Sequence, residues 1–397
     1  MRLAKRALQI SPSPTLVIDA QAKKMISEGI DVLNFGVGEP DFDTPEYIKE
    51  AGIAAIKQGF TKYTPVAGTE ELRKAIAQKI KKDSGLEYQL NEIVVSAGAK
   101  HSLYNVIQVL CDEGEEVILP APYWVSYIEQ IKLAGGIPKI IFTREDNGFK
   151  LTPEQLAAAI TARTKILILN SPGNPTGAVY SQAELEALGK VIEEKKIYVI
   201  ADEIYEKLLY DGLEHISIAS LSVGLKELTV LINGVSKAYA MTGWRIGYTA
   251  SESRIAKAMA DLQSHSTSNA SSIAQKASTA ALIGSQQPLA EMLIQFEKRR
   301  NYMLERLQAM DGVTCTKPGG AFYLYPNVSS FFGKSHQGKP IKDSSDLADI
   351  LLKQANIAVV PGIAFGTSAN LRFSYATSLE NIQEGMNRMG KVLREIC

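Results

Sequence analysis

The chain has 397 residues, which is longer than one compact core usually accommodates, so its length predicts two or more domains. Lys plus Arg and Asp plus Glu both number 43, and this zero net charge argues against a partner recognised by overall charge, such as nucleic acid or an anionic membrane. Cys111, Cys315 and Cys397 are too far apart for a metal motif or a disulfide framework, and no apolar run has the length of a membrane span or a signal peptide. These features predict a cytoplasmic protein without a metal site.

The first 45 residues predict only one short helix. From about residue 50 the pattern alternates between helices and short β-rich runs, and the predicted strands cover residues 92–96, 116–119, 137–142, 166–169, 197–200 and 228–232. Several of these strands are apolar on both faces, which is typical of a parallel sheet covered by helices on both sides. The fold class is therefore predicted to be α/β, with a large, doubly wound, mostly parallel sheet.

Helix starts between these strands can be located from capping residues. Thr152 precedes a proline, Ser181 forms a capping box with Glu184, and Thr44 precedes Pro45 in the same way as Thr152.

The C-terminal part of the chain predicts a second domain. An amphipathic helix is expected over residues 288–310, and an α+β region with short strands and two helices is expected after it. The predicted division is a large domain over residues 46–287, a small α+β domain over residues 1–45 and 311–397, and a connecting helix over residues 288–310.

Small or polar residues follow five of the predicted strands, where an open α/β sheet binds its ligands. In chain order these strand ends supply the Gly98-Ala99-Lys100 turn, Trp124, Asn174, the pair Asp202 and Tyr205, and Lys237. Each feature alone has an ordinary explanation, such as a solvated lysine, a helix cap or a turn. Their convergence on one sheet edge favours a ligand site.

Pyridoxal 5′-phosphate (PLP) fits this set of groups. Lys237 offers an amine for the cofactor's aldehyde, and Asp202 offers a carboxylate that keeps the pyridine nitrogen protonated. Asn174 and Tyr205 can donate hydrogen bonds to the phenolic oxygen. A phosphate group needs backbone N–H groups at a helix start and a guanidinium, which the Gly98 turn and Arg245 can provide.

The segment GVSKAYAMTGWRIG, residues 234–247, resembles the lysine signature of the class I aminotransferases, which belong to the fold-type I PLP enzymes. Further matching segments are GEPDFDTP (38–45), KYTPVAG (62–68), PAPYWVSY (120–127), NSPGNPTGAVY (170–180), DEIYE (202–206), GGAFY (319–323) and LRFSYA (371–376). The resemblance covers essentially the whole chain. It is strongest to bacterial aspartate aminotransferases of the subgroup that includes prephenate-active enzymes.

This resemblance implies roles for individual residues around the cofactor and the substrate. Lys237 would hold the cofactor as a Schiff base and act as general base, with Ser236 beside it as a further cofactor-binding residue. Arg372 would pair with the substrate α-carboxylate, assisted by the Gly38 backbone and the Asn174 side chain. Trp124 would flank the cofactor ring, and tight turns in this family make cis peptide bonds expected at Pro122 and Pro175.

The resemblance also implies a homodimer and a specificity pocket. Tyr63 would reach the cofactor phosphate of the partner subunit. Lys100 would meet the side-chain carboxylate of a dicarboxylic substrate, and Ser13 and Thr15 would close over that carboxylate. One departure is His101, which stands where related sequences often carry a polar amide and could change this pocket.

The predicted activity is ping-pong transfer of the amino group of L-aspartate to 2-oxoglutarate, with prephenate or arogenate left open as further substrates. One alternative is an aminotransferase of aromatic or neutral amino acids, for which Lys100 would be idle. Another is a PLP-dependent C–S β-lyase, which would release pyruvate and ammonia. A third is the PLP-binding module of a transcriptional regulator, which the lack of an appended helix-turn-helix segment disfavours.

Overall fold

A seven-stranded sheet forms the centre of the protein, as seen in a computed structural model that describes residues 3–397. The strands in the first 250 residues are β1 (Leu33–Asn34), β2 (Ile93–Ser96), β3 (Glu116–Ala121), β4 (Ile137–Phe142), β5 (Thr164–Asn170), β6 (Tyr198–Asp202), β7 (Thr229–Gly234) and β8 (Gly247–Ala250). All except β1 belong to the sheet, in the order β2-β8-β7-β6-β5-β3-β4, and β8 runs antiparallel to the other six strands. The predicted fold class is confirmed. All six strands predicted for the large sheet are present, but β8 was not predicted.

Helices cover both faces of this sheet and form much of the rest of the chain. They are α1 (Lys5–Gln9), α2 (Pro14–Ser27), α3 (Glu46–Lys57), α4 (Glu70–Ser84), α5 (Ala99–Leu110), α6 (Ser126–Leu133), α7 (Pro153–Ala159), α8 (Gln182–Lys195), α9 (Val223–Leu228), α10 (Ser253–Ser264), α11 (Ser272–Ile283), α12 (Gln287–Gln308), α13 (Ser344–Ala355) and α14 (Leu379–Arg394). Within the described residues, no helix combines the length and apolar character needed to cross a membrane.

Two of the three predicted helix caps are confirmed. Thr152 and Ser181 each form a capping box at the start of α7 and α8. Thr44 does not cap α3: its hydroxyl donates to the carbonyl oxygen of Ala240 at 2.7 Å and accepts from the indole N–H of Trp244 at 3.0 Å. The hydroxyl therefore ties the start of α3 to the segment that follows Lys237.

The C-terminal region contains short strands and connects to the start of the chain. Its strands are β9 (Tyr323–Leu324), β10 (Ser335–His336), β11 (Lys339–Pro340), β12 (Ile357–Ala358), β13 (Val360–Pro361) and β14 (Leu371–Ser374). β14 lies between β13 and β9 in an antiparallel sheet, and β1 pairs in parallel with β12. The pairing of β1 with β12 supports a small domain built from both chain ends, although its boundaries stay a prediction. The expectation of one short helix before residue 45 was wrong, because both α1 and α2 lie there.

The loops at the carboxyl edge of the large sheet contain three cis peptide bonds. They precede Pro122, Pro172 and Pro175. The cis bonds predicted at Pro122 and Pro175 are confirmed, and the one at Pro172 was not predicted.

Candidate active site

A cavity of about 490 Å³ lies at the carboxyl edge of the large sheet. Residues from five strand ends, from α2 and from β14 line it, so distant parts of the chain meet there. The predicted site residues in its wall are Thr15, Gly38, Ala99, Lys100, Trp124, Asn174, Asp202, Tyr205, Ser236, Lys237, Arg245 and Arg372. Gly98, Ser13 and Tyr63 are not part of this lining.

Lys237 follows β7 and directs its amine into the cavity. Its Nζ donates a hydrogen bond to the carbonyl oxygen of Gly38 at 2.5 Å. Burial lowers the pKa of Lys237 to about 8; the negative charge of Glu39 opposes this shift, and the positive charge of Arg372 adds to it. A larger share of the amine is therefore neutral near physiological pH than for an exposed lysine, and the neutral amine is the nucleophilic form.

Asp202 is the last residue of β6, and its carboxyl group is buried. Burial raises its pKa to about 6, while hydrogen bonds from the Tyr127 hydroxyl at 2.6 Å and the Ile204 backbone N–H at 3.2 Å favour the ionised form. The two donors fix the orientation of the carboxyl group. A buried carboxylate held in this way is suited to pair with a protonated ring nitrogen.

The Gly98 turn and Arg245 form a compact anion-binding arrangement at the start of α5. Gly98 has φ +89°, and a Cβ atom at this position would lie 2.3 Å from Nη2 of Arg245. A Cβ atom on Gly247, in β8, would lie 2.2 Å from the backbone nitrogen of Ala99. These two glycines therefore allow the guanidinium and β8 to approach the helix start, where free N–H groups attract a phosphate.

Lys100 and Trp124 lie next to each other in the cavity wall. The Nζ of Lys100 is 4.9 Å from the centroid of the Trp124 ring, and the ring of Tyr127 meets that of Trp124 edge to face at 5.3 Å. Burial lowers the pKa of Lys100, and the positive charge of Arg245 acts in the same direction. The position of Lys100 in the cavity wall makes it a candidate partner for an acidic side chain.

His101 points away from the cavity. Its Nδ1 accepts a hydrogen bond from the backbone N–H of Ala97 at 3.2 Å, which closes the turn before α5. The ring is outside the cavity lining. The expected effect of His101 on the pocket is therefore not supported by a direct contact.

Arg372, on β14, is a buried guanidinium whose hydrogen bonds leave its Nε–H without a partner among the described residues. It donates to Oδ1 of Asn174 at 3.1 Å and to the carbonyl oxygen of Gly36 at 2.7 Å, and it stacks at 4.5 Å over Tyr323. Its Nε has no hydrogen-bond partner within residues 3–397. A buried N–H without a partner is costly, so this group fits a site that receives a carboxylate.

Three residues with clear contacts in the site were not given roles by the sequence analysis. Tyr127 supports Asp202, the Gly36 carbonyl holds Arg372, and Tyr323 shares a 2.9 Å hydrogen bond with the hydroxyl of Tyr205. Tyr127 and Tyr323 end the segments PAPYWVSY and GGAFY, so their presence in matching motifs was the available signal. Gly36 contributes only its backbone carbonyl to the contact with Arg372, so no side chain in the sequence indicates it.

The remaining predicted residues lie nearer the surface. Tyr63 is 90% exposed. The hydroxyls of Ser13 and Thr15, at the start of α2, lie 2.9 Å apart, and only Thr15 reaches the cavity.

One cluster outside the cavity has the composition of a metal site. Glu203, Glu206 and His215 offer ligand atoms that all lie within 4.8 Å of one another. However, the Lys79 ammonium already forms an ion pair with Glu206. This cluster therefore contains its own cation.

Comparison with known proteins identifies the family. Residues 30–389 match the model of the family described as aminotransferase class I and II. The chain is 49% identical to an aspartate aminotransferase of Bacillus subtilis over 395 residues, with 100% of both chains covered. It is 44% identical to an aspartate/prephenate aminotransferase of Nitrosomonas europaea, covering 99% of this chain and 100% of that one. The crystal structure of an aspartate aminotransferase from Rhizobium meliloti superposes with a TM-score of 0.97 at 45% identity, with both chains fully covered.

The chain therefore belongs to the class I and II aminotransferase family. It is a fold-type I transaminase that uses PLP and acts on amino acids and 2-oxo acids.

The cavity fits this cofactor. It combines a buried amine, a buried carboxylate, a guanidinium beside a helix start and a flat aromatic ring, while the Arg372 N–H remains available for the substrate.

Proposed function

We propose that this transaminase moves the amino group of L-aspartate to 2-oxoglutarate in a ping-pong cycle. The observation that carries the proposal is the presence of two cations, Arg372 and Lys100, in one cavity wall. Arg372 can bind the α-carboxylate that all amino acids share, and Lys100 can bind a second carboxylate. The names of the Bacillus subtilis and Rhizobium meliloti relatives support the same substrate.

PLP supplies an aldehyde and an electron-accepting ring when it is bound. In the proposed mechanism Lys237 is the residue that would hold the aldehyde carbon between turnovers. The freed amine of Lys237 then removes the proton from the substrate Cα as general base. Its lowered pKa, about 8, keeps a useful fraction in the basic form.

The other proposed roles keep the ring and its substituents in position. The Asp202 carboxylate would pair with the ring nitrogen and keep it protonated. Tyr205 and the Nδ2 group of Asn174 would donate to the phenolic oxygen, and Trp124 would flank the ring.

The phosphate is proposed to bind to Arg245, Ser236 and the backbone of Gly98, Ala99 and Lys100. Gly38, at the cavity wall, is proposed to offer its backbone to the substrate carboxylate, and Ser13 and Thr15 to close over the side-chain carboxylate.

Prephenate is a second candidate acceptor. It is also a dicarboxylate, so the pair Arg372 and Lys100 suits it, and the Nitrosomonas europaea relative carries it in its name. Prephenate therefore belongs in the substrate panel.

We also propose a homodimer in which Tyr63 contacts the partner's cofactor phosphate. The 90% exposure of Tyr63 suits a residue that a second subunit covers, since tyrosine is enriched at protein interfaces. The proposed domain division remains 46–287 for the large domain, 1–45 with 311–397 for the small domain, and 288–310 for the connection. The three free thiols support the proposed cytoplasmic location.

The substrate proposal is tested by replacing each cation separately. Lys100→Met keeps most of the apolar stem but removes the charge, so kcat/KM for aspartate should fall about ten- to a hundredfold. The kcat/KM values for alanine and phenylalanine should change little. Arg372→Lys is the matched control, and it should reduce kcat/KM for all three substrates because they share the α-carboxylate.

An equal loss of activity on aspartate and alanine in Lys100→Met would overturn the acidic-substrate proposal but not the transaminase class. A separate assay should offer a substrate with a β C–S bond, such as cystathionine, without a 2-oxo acid. Release of a thiol, pyruvate and free ammonia would identify a β-lyase, because a transaminase passes the amino group to an acceptor and releases no ammonia.

A further inference from the structure

A largely buried group of charged side chains adjoins the turn that carries Asp202 and Tyr205. We name it the ionic cluster, and it consists of Lys79, Asp83, Glu203, Glu206, Lys207 and His215. Glu203 and Glu206 belong to the same short turn as Asp202 and Tyr205. Only Asp202, Ile204 and Tyr205 of this turn line the cavity.

Glu203 is the buried centre of one half of the cluster. Its Oε1 accepts a hydrogen bond from the Ser217 hydroxyl at 2.7 Å, and its Oε2 lies 3.0 Å from Nε2 of His215. Its backbone N–H donates to the carbonyl oxygen of Ile232, in the neighbouring strand β7, at 2.9 Å. The side chain and the backbone of Glu203 are thus both fixed, and Glu203 follows Asp202 directly.

Glu206 is anchored in the other half of the cluster. Its carboxylate pairs with the Lys79 ammonium, which also lies 3.2 Å from Asp83, and Asp83 is 2.8 Å from Lys207. The Glu206 backbone N–H donates to the carbonyl oxygen of Glu203 at 2.9 Å. Helix α4 therefore fixes the end of the turn, one residue after Tyr205.

The surroundings of the cluster contain further titratable groups. The hydroxyls of Tyr88, Tyr239 and Tyr248 face it, and burial raises the pKa of each above its usual value. The negative charges of Glu203 and Glu206 raise the pKa of His215 against the effect of its burial. The cluster thus places carboxylates beside two lysines and a histidine in a largely buried region.

Burying such charges does not by itself increase stability. Replacing a buried ion pair with apolar residues is often neutral or stabilising, so buried pairs are better explained by the geometry they specify. Here the ion pairs specify the geometry of the turn of residues 202–206, which also carries Asp202 and Tyr205.

We propose that Glu203 and Glu206 are positioning residues that hold the turn of residues 202–206, so that Asp202 and Tyr205 meet the cofactor. The negative charge of Glu203 also raises the pH at which the bound cofactor loses its proton. This role goes beyond the proposed substrate, because it concerns the cofactor and not the amino donor. The positioning part rests on the contacts of both carboxylates, and the electrostatic part rests on the adjacency of Glu203 and Asp202.

The direction of the electrostatic effect follows from the sign of the charge. A negative charge favours the protonated form of every nearby group, and Glu203 acts on Asp202 in this way. Removing the charge should lower the pH at which the bound cofactor loses its proton. This pH is the midpoint of the cofactor's absorbance change in a pH titration of the holoenzyme.

The test compares Glu203→Gln with Glu116→Gln. Glu116 is also a buried carboxylate held by two cations, Lys139 at 3.2 Å and Arg163 at 3.1 Å, but it begins β3 at the opposite edge of the sheet. Glu203→Gln should lower the absorbance midpoint by about half a pH unit. It should also weaken PLP binding to the apoenzyme, titrated by absorbance, roughly three- to tenfold. Glu116→Gln should lower Tm only.

The proposal is overturned if Glu203→Gln lowers Tm as Glu116→Gln does but leaves both the midpoint and the PLP affinity unchanged. If Glu203→Gln does not fold, Ser217→Ala is the deciding variant. It keeps every charge and removes only the hydrogen bond to Oε1 of Glu203. Ser217→Ala should weaken PLP binding at an unchanged midpoint, and an unchanged affinity would overturn the positioning role. Either result leaves the aspartate proposal intact, since that proposal is decided by Lys100.

Discussion

At the scale of single residues, Lys237 has surroundings that favour its neutral amine. Burial lowers its pKa from 10.5 to about 8. Between these two pH values the unfolded chain holds more protons on this group than the native apoenzyme does, so this lysine lowers stability at neutral pH and the loss is recovered as the pH rises toward 10.5. The cost is acceptable for a group whose reactivity depends on losing its proton.

We expect the rate at which PLP attaches to the apoenzyme to rise with pH through a midpoint near 8. The reason is that only the neutral amine of Lys237 attacks an aldehyde. Stopped-flow absorbance at a fixed excess of PLP measures the rate, and borohydride reduction with peptide mapping locates the adduct. Lys237→Ala is the control and should show no saturable phase. An adduct on another lysine, or a midpoint near 10.5, would contradict the assignment of Lys237.

Single residues also show where sequence reasoning stops. The convergence of Lys237, Asp202 and Arg372 on one cavity could be predicted, since strand ends and motifs place them there. Their hydrogen-bond partners could not, because the Gly36 carbonyl is backbone and the hydroxyl of Tyr127 has no strand-end position of its own. His101 was singled out because it stands where related sequences often carry a polar amide, but its ring accepts a hydrogen bond that closes its own turn.

At the scale of elements, the strands with long apolar runs were predictable and β8 was not. β8 is the four-residue segment Gly247–Ala250, which is fully buried. It begins at the last residue of the lysine signature, residues 234–247, which was interpreted only as a cofactor motif. Such a short run with a glycine and an alanine lacks the β-branched pattern that identifies a strand. Only its pairing with β2 and β7 defines it.

The turn before α5 carries an element-scale prediction. Gly98→Ala places a Cβ atom 2.3 Å from the Arg245 guanidinium, so Arg245 must move. We expect PLP affinity to fall at least about tenfold, because a charge-assisted contact to the phosphate is lost. The measurement is a PLP titration of the apoenzyme.

Gly85→Ala is the matched control for this substitution. Gly85 also has a left-handed φ, +72°, but open space surrounds its Cβ position at the end of α4. It should cost about 1 kcal/mol of unfolding free energy and leave PLP affinity unchanged. Equal PLP affinities in the two variants would show that Gly98 serves only the backbone.

At the scale of the whole molecule, the exposed Tyr63 makes a prediction about subunits. If Tyr63 completes the partner's site, Tyr63→Ala and Lys237→Ala should complement each other in mixed dimers. A mixed dimer then has one site with both residues and one with neither. After equal amounts are unfolded together and refolded, we expect about a quarter of the full number of competent sites, since half of the random dimers are mixed.

Activity relative to each refolded parent measures this recovery. If Tyr63 served its own subunit, every site with Lys237 would lack the tyrosine and mixing would restore nothing. A monomeric mass in solution with full activity would also contradict the shared site. The fold of one chain does not itself indicate a second subunit: the pairing of β1 with β12 joins the two ends of the same chain.

The hairpin of β7 and β8 bears on whether the enzyme binds phosphorylated or unphosphorylated pyridoxal. Its strands end at the pair Gly234 and Gly247, and the connecting loop carries both Lys237 and Arg245. This hairpin therefore sets the spacing between the proposed attachment point of the aldehyde, Lys237, and the proposed binding group for the phosphate, Arg245. Pyridoxal, which lacks the phosphate, can use the Lys237 attachment point but not Arg245. The enzyme should discriminate between phosphorylated and unphosphorylated pyridoxal through this fixed span.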